Sequence, residues 1–231
     1  MSNVPEGMRE AVQRARAEVC RLHAALVSNG LVAWTSGNVS ARVPGVEGAG
    51  AGLMVIKPSG IEYPDLTPDS MVVCGLDGAR VDGAYQPSSD TASHAYVYRH
   101  MPQVGGVVHT HSTYATAWAA RGEAIPCVIT AMADEFGGEI PLGPFALIGG
   151  DEIGRGVVAT LTGHRSPAVL MRNHGVFTVG PTARAAVKAA VICEDAARTV
   201  HLARMLGEPQ PLPADQVDAL HRRYTTEYGQ R

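Results

Sequence analysis

Several common signatures are missing from this sequence, and each absence excludes a class of structure or partner. The four cysteines lie far apart and form no C-x-x-C pair, so neither a disulfide framework nor a cysteine-bound zinc site is expected. The net charge of −3 comes without a long basic or acidic run, which argues against nucleic acid or an anionic membrane surface as partner. We therefore expect buried free thiols and a small-molecule partner.

Targeting and nucleotide-binding signals are also missing. The first ten residues are polar and include Pro5, unlike a signal peptide, and no apolar run approaches twenty residues. Neither G-x-x-x-x-G-K-[ST] nor G-x-G-x-x-G occurs to cradle the phosphates of a nucleotide. We expect a cytoplasmic protein that does not associate with a membrane.

The pattern that is present is typical of one α/β or α+β domain covering 1–231. The 231 residues and 45% hydrophobic content allow a sizeable core, and neither a repeat nor a low-complexity linker divides the chain. Periodicity and caps predict a final polar helix and, before it, helices at 8–29, 91–100, 114–121, 151–161 and 181–206. Apolar runs predict a surface loop at 45–52 and strands at 39–43, 53–56, 71–74, 105–108, 168–171 and 175–179.

Histidines form the strongest chemical signal. His109 and His111 follow an apolar strand at a spacing of two, which places both imidazoles on one side of the strand, where they can hold a metal ion. An isolated H-x-H is as often a hydrogen-bonded or exposed pair. A third histidine, His174, and the carboxylate of Asp90 at a helix start strengthen the metal hypothesis, although Asp90 also suits a helix N-cap. His94, four residues after Asp90, is interpreted mainly as a surface histidine.

Such a donor set suits Zn²⁺ or a similar divalent ion, with Mn²⁺ and Co²⁺ as alternatives. Because histidines leave coordination positions for water or substrate oxygen, the site is expected to be catalytic. Three small polar turns, at 35–40, 57–60 and 87–89, offer hydroxyls and backbone N–H groups suited to an anion. Each alone is more often an ordinary turn, but together with Lys57 they fit a single phosphate.

The order of these motifs resembles the class II aldolase/adducin family over nearly the whole chain. The matching motifs are T-x-G-N-x-S, K-P-S-G, P-S-S-D-T, H-T-H-S, A-D-x-F and N-H-G. The resemblance implies an α/β/α sandwich around a mainly antiparallel central sheet and a homotetramer with active sites at subunit interfaces. It also implies Zn²⁺ bound by His109, His111 and His174, with Asp90 matching the metal carboxylate.

The resemblance further assigns substrate and acid/base residues. Positions on the family's substrate and phosphate contacts, with Lys57 adding positive charge, are Gly37, Asn38, Ser59, Gly60, Ser88 and Ser89. Asp134 and Tyr228 fall on its acid/base groups, supplied by a neighbouring subunit. Two departures are the missing histidine two residues before Asp134 and a short 141–151 segment, which is closer to the aldolase branch.

Within the family, the motifs most resemble the pentulose-phosphate 4-epimerase branch, because Asp90 stands where the fuculose-phosphate aldolase branch carries glutamate. This resemblance implies metal-assisted retro-aldol and aldol chemistry that interconverts L-ribulose 5-phosphate and D-xylulose 5-phosphate. Three alternatives are an aldolase that releases its aldehyde, a dehydratase acting on a thiosugar phosphate, and a non-catalytic adducin-like interaction domain. The retained histidines argue against the last of these.

Overall fold

A central sheet of eight strands organises the molecule in a computed structural model that describes residues 1, 3–45 and 52–227. Most of the expected 45–52 loop and the predicted catalytic Tyr228 lie outside these residues. In chain order the strands are β1 (Asn38–Val43), β2 (Leu53–Ile56), β3 (Val72–Gly75), β4 (Arg80–Asp82), β5 (Gly106–Thr110), β6 (Leu142–Gly143), β7 (Ala168–Met171) and β8 (Gly175–Gly180). Their spatial order is β4-β3-β2-β1-β5-β8-β7-β6, and only the β6–β7 pair is parallel.

Seven α-helices of the described chain flank this sheet, together with short 3₁₀ turns. They are α1 (Arg9–Ser28), α2 (Thr91–His100), α3 (Thr113–Arg121), α4 (Thr130–Phe136), α5 (Glu152–Leu161), α6 (Ala183–Leu206) and α7 (Ala214–Thr226). None of these helices is long and apolar enough to cross a bilayer.

Helices cover both faces of the sheet, as strand β2 shows. Its alternate residues Leu53 and Val55 pack into a core with α1 and α6, whereas Met54 and Ile56 pack into a second core with α2 and α5. All four side chains are therefore buried, because a strand covered on both sides has no solvent face. The expected α/β/α sandwich with a mainly antiparallel sheet is confirmed.

Most predicted elements agree with the structure to within about two residues, and the cysteines are free thiols, with only Cys20 partly exposed. The sequence interpretation missed β4, α4 and β6. Strand β4 is a short, partly exposed edge strand, and β6 has only two residues. Helix α4 spans seven residues, too few for a clear helical period.

Strand pairing brings the ends of distant segments together at one edge of the sheet. Asn38, the first residue of β1, pairs with His109 near the end of β5, and His109 in turn pairs with Phe177 of β8. His174 lies in the turn that connects β7 to β8. The polar residues predicted from separate motifs therefore share one corner of the fold.

Candidate metal and phosphate site

Three imidazoles meet at this corner. His109, His111 and His174 each offer a ring nitrogen within 4.8 Å of the others, and the Nε2 atoms of His109 and His111 lie 2.9 Å apart. Two nitrogens bound to one tetrahedral zinc ion would be about 3.3 Å apart. The spacing is therefore close to that of two ligands of a single ion.

The surroundings of His109 keep its imidazole neutral with a free lone pair on Nε2, as a metal ligand requires. Its Nδ1–H donates to the carbonyl of Val176 at 2.9 Å, which leaves the Nε2 lone pair facing the other histidines. Phe177 stacks against the ring with centroids 4.2 Å apart. Burial lowers the pKa of His109 to about 3, so the imidazole is neutral at physiological pH.

The donor set fits a divalent ion because it leaves ring nitrogens without partners. His174 Nδ1 is buried and has no hydrogen-bond partner among the residues described, and burial lowers the pKa values of His111 and His174 as well. Two facing Nε2 atoms can share at most one hydrogen. Neutral imidazoles with converging lone pairs suit Zn²⁺, and histidine-rich sites also accept Mn²⁺ and Co²⁺.

Asp90 lies beside this cluster but is not part of the three-histidine group. It is the N-cap residue of α2, yet its side chain makes no capping hydrogen bond; Asn38 Nδ2 donates to its Oδ2 at 2.7 Å instead. Burial alone would raise the pKa of Asp90, but the Asn38 hydrogen bond and the charges that His109 and His94 carry only at acidic pH lower it below its ordinary value. The carboxylate is thus ionised and faces the site, which speaks against the helix-cap interpretation.

His94 is buried, so its interpretation as a surface histidine is wrong. Its exposed fraction is 0%, and burial lowers its pKa to about 4. His94 Nδ1 is hydrogen-bonded to Ser40 Oγ at 2.7 Å, and Ser40 Oγ is also bonded to the Tyr98 hydroxyl at 2.8 Å. The sequence spacing placed His94 on the helix face of Asp90, but only the sheet packed above that face shows that it is inaccessible.

A pocket of about 230 Å³ opens over the histidines. Its wall contains parts of all three polar turns, including the predicted Gly37, Lys57, Ser59, Gly60, Ser88 and Ser89, together with Ile148. The predicted substrate contact Asn38 lies behind this wall, where its amide donates to Ser88 Oγ at 3.0 Å and to Asp90. Asn38 therefore positions two pocket residues.

The turns offer hydrogen-bond donors suited to an anion. Ser59 N–H donates to the Gln86 carbonyl and Ser88 N–H to the Lys57 carbonyl, which binds two of the turns together. Across the described ranges, the backbone N–H groups of Gly37, Gly60 and Ser89 have no acceptor. Free N–H groups around a small pocket form an anion-binding concavity.

The side chain of Lys57 is buried beneath the polar turns that line the pocket. Only 2% of the residue is exposed, and its ammonium donates to the carbonyls of Thr35, Pro58 and Ile61 at 3.3, 3.2 and 2.9 Å. Burial lowers the pKa of Lys57 to about 8. The lysine thus places a positive charge under the turns while its hydrogens are used by backbone oxygens.

Comparison with known proteins gives the family. The family described as Class II Aldolase and Adducin N-terminal domain matches residues 17–201. The chain belongs to this class II aldolase family.

Relatives and solved structures agree with this assignment. L-ribulose-5-phosphate 4-epimerase UlaF proteins of Salmonella typhi and Salmonella choleraesuis are each 42% identical over 202 residues, covering 84% of this chain and 86% of the relative. An L-fuculose 1-phosphate aldolase structure has a TM-score of 0.83 and 26% identity, covering 92% of this chain and 96% of its own. The Klebsiella pneumoniae structure titled YgbL, a putative aldolase/epimerase/decarboxylase, has a TM-score of 0.76 and 28% identity, with 90% and 98% covered.

Asp134 is not brought to the histidines of the same class II aldolase chain. It lies on α4, where its Oδ1 is buried without a hydrogen-bond partner in the described part of the chain. It does not line the 230 Å³ pocket. His221 of α7 donates from Nδ1 to the Asp134 carbonyl at 3.0 Å, so α7 holds this helix in place.

Sequence reasoning missed a residue behind the pocket. Tyr63 donates its hydroxyl to the Ser36 carbonyl at 2.7 Å and lies 3.2 Å from the Gly37 carbonyl. It stands in a 3₁₀ turn with no periodic signal. The one sequence signal that could have pointed to Tyr63 is its position six residues after Lys57.

Proposed function

We propose that this class II aldolase family member is a metal-dependent 4-epimerase that interconverts L-ribulose 5-phosphate and D-xylulose 5-phosphate. The observation that carries the proposal is one small pocket lined both by converging neutral imidazoles and by turns in which the N–H groups of Gly37, Gly60 and Ser89 have no acceptor among the described residues. A metal-dependent reaction on a phosphorylated sugar needs both features, the imidazoles for the metal ion and the N–H groups for the phosphate. The relatives named L-ribulose-5-phosphate 4-epimerase support this substrate.

Epimerisation at C4 requires carbon–carbon bond cleavage. The hydrogen on C4 is not adjacent to the C2 carbonyl, so its removal would leave a carbanion without resonance. Cleavage between C3 and C4 leaves an enediolate and an aldehyde, and re-addition to the other aldehyde face inverts C4. A metal ion held by His109, His111 and His174 would supply Lewis acidity for this cleavage.

The chain's own residues hold and orient the reactants. His109, His111 and His174 hold the metal ion, with Zn²⁺ as the expected ion, and Asp90 provides an adjacent negative charge. The N–H groups of Gly37, Gly60 and Ser89 and the hydroxyls of Ser59, Ser88 and Ser89 surround the phosphate. Lys57 adds charge from beneath.

Proton transfer at the C4 oxygen is assigned to Asp134 and Tyr228. One group is needed on each side of the rotating aldehyde, and among the described residues Asp90 is the one carboxylate that lines the 230 Å³ pocket. Asp134 lies elsewhere on the same chain, which supports its delivery by a neighbouring subunit of a cytoplasmic homotetramer. The proposed active site is then shared between subunits.

A second candidate is an aldolase that releases its aldehyde. The structural similarity to L-fuculose 1-phosphate aldolase, with a TM-score of 0.83, favours this alternative. Asp90 favours the epimerase, because glutamate at this position in the aldolase branch has the reach to shuttle a proton. The two activities differ in whether the aldehyde leaves the protein.

Product analysis separates these functions. Metal-loaded protein is incubated with L-ribulose 5-phosphate, with and without a chelator, and the products are followed by NMR. Chelator-sensitive formation of D-xylulose 5-phosphate without free aldehyde is expected. Accumulating glycolaldehyde phosphate would identify an aldolase instead, and the absence of any conversion would contradict both proposals for this substrate.

A further inference from the structure

The first of the three polar turns, at 35–40, accepts a hydrogen bond from a tyrosine that the proposed mechanism does not use. Tyr63 donates its hydroxyl to the Ser36 carbonyl at 2.7 Å, with the Gly37 carbonyl at 3.2 Å. Carbonyls of two consecutive residues in this turn therefore face Tyr63, which does not line the pocket. Lys57 engages the preceding carbonyl, that of Thr35, at 3.3 Å.

The geometry of the peptide links the contact between Tyr63 and the Ser36 carbonyl to the direction of the Gly37 N–H group. In a trans peptide the carbonyl of one residue and the N–H of the next point in opposite directions. Fixing the Ser36 carbonyl toward Tyr63 therefore directs the Gly37 N–H away from Tyr63, and Gly37 lines the pocket. That N–H has no acceptor among the described residues, so it is available to a ligand.

Gly37 has to be a glycine, and a glycine does not by itself fix the orientation of the peptide before it. Gly37 has φ of +78°, and a Cβ at this position would lie 2.8 Å from Val32 Cγ1 and 2.9 Å from the His109 carbonyl. Glycine is needed here for its conformational freedom, and the same freedom lets the peptide rotate unless something holds it. The Tyr63 hydroxyl is the side-chain group that donates to the Ser36 carbonyl.

We propose that Tyr63 is a positioning residue of the phosphate subsite, which holds the Ser36–Gly37 peptide so that the Gly37 N–H faces the phosphate. The phosphate as ligand rests on the proposed function. Lys57 acts beside Tyr63, with its Nζ 5.3 Å from the tyrosine ring centre. It links the first two turns, because it belongs to the second and donates to the Thr35 carbonyl of the first.

The Tyr63→Phe variant tests the proposal, because it keeps the ring that packs against His23 and removes only the hydroxyl. Inhibition constants are measured for inorganic phosphate, which probes the turns, and for acetohydroxamate, which probes the metal. We expect the phosphate constant and the KM for the sugar phosphate to rise about fivefold to tenfold, the usual effect of one lost hydrogen bond. The kcat and the acetohydroxamate constant should stay within about twofold.

Tyr96→Phe is the matched control, since no hydrogen bond of the Tyr96 hydroxyl is found within the described ranges and the ring stacks on His100 away from the pocket. It should leave all constants unchanged. An unchanged phosphate constant in Tyr63→Phe would overturn the proposal. So would an equal weakening of both inhibitors with a fall in kcat, since that pattern indicates general disruption of the site.

Phosphate binding is also followed by ³¹P NMR, which requires no turnover. If the wild-type protein does not epimerise but binds phosphate more tightly than Tyr63→Phe, the positioning role stands and the proposed function fails. If the wild-type protein epimerises and the two proteins bind phosphate equally, only the positioning role fails. A wild-type protein that binds no phosphate overturns the positioning role directly.

Discussion

His109 and Asp134 have different roles in the proposed reaction, as a metal ligand and as an acid/base group. Single substitutions distinguish these roles. His109 belongs to the three-histidine group, whereas Asp134 lies on α4 outside the pocket of its own chain. Substitution of His109 should abolish both metal binding and activity. Substitution of Asp134 should reduce activity alone.

The variants His109→Asn and Asp134→Asn test this division. We expect Asp134→Asn to keep its full metal content while kcat falls about 10²- to 10⁴-fold, the usual contribution of a general acid or base. His109→Asn should lose both. Metal content is measured by atomic absorption and turnover by NMR, with exposed Asp69→Asn as control. Full activity in Asp134→Asn would remove it from the mechanism.

Lys57 makes phosphate binding sensitive to alkaline pH. Burial lowers its pKa to about 8, so the charge beneath the turns is lost as pH rises through 8. We expect the KM for the sugar phosphate to rise about threefold to tenfold between pH 7 and 9.5, because a nearby cation no longer attracts the dianion. The unfolded chain keeps this proton to about pH 10.4, so folding stability rises over the same interval.

Steady-state kinetics across this pH range check the expectation. Lys57→Met should have a high KM at every pH without the alkaline rise. Lys188→Met is the matched control, because Lys188 pairs with Glu135, whose hydrogen bond helps to raise its pKa, and the alkaline rise in KM should persist there. The same rise in Lys57→Met would assign the titration to another group.

At the scale of elements, β1 and α2 are joined by polar contacts at alternate β1 residues. Asn38 donates to Asp90, and Ser40 is bonded to His94 and Tyr98. Arg42 donates to the Tyr98 carbonyl near the end of α2. Because side chains alternate along a strand, these contacts share one face, and they fix the helix whose N-cap is Asp90.

Ser40→Ala tests the strength of this connection. The substitution leaves His94 Nδ1 without its partner in a fully buried site, and the Tyr98 hydroxyl keeps only its hydrogen bond with the Val107 backbone. We expect the free energy of unfolding to fall by about 2–3 kcal/mol, because unsatisfied buried polar groups are costly. Urea denaturation measures this, with exposed Ser28→Ala as control. A loss no greater than in the control would show that water replaces the serine.

The helices and strands themselves were largely predictable from local pattern. The β5 run ending at His109 and the alanine-rich α6 have strong local signals. Strand β4 pairs at the sheet edge as Arg80–Asp82, and its sequence carries no apolar alternation to show it. A strand that forms because the neighbouring strand offers hydrogen bonds has little recognisable pattern in its own sequence.

At the scale of the whole molecule, the proposed active site requires two subunits. The three-histidine group and Asp134 lie in different places on one chain, and Asp134 has a buried, unpartnered oxygen within the described residues. Two variants defective in different parts of the site should therefore complement each other.

Co-expression of His109→Asn with Asp134→Asn tests this sharing. In mixed oligomers some sites combine an intact histidine set with an intact Asp134, and random assembly should restore about a quarter of wild-type activity. Either variant expressed alone should be inactive. Differently tagged subunits and NMR turnover measure the recovery. Purified mixed oligomers without recovered activity would place both groups in one subunit.

The sequence alone determined the family motifs and the shared side of His109 and His111, because a period of two is a local property of a strand. The sequence also proposed His174 as the third histidine, and the structure places it beside the other two. The tertiary structure alone decided that His94 is buried and that Lys57 and Tyr63 hold the turns from behind. Burial and such contacts depend on segments that are distant along the chain. Only the packing of sheet and helices brings those segments together.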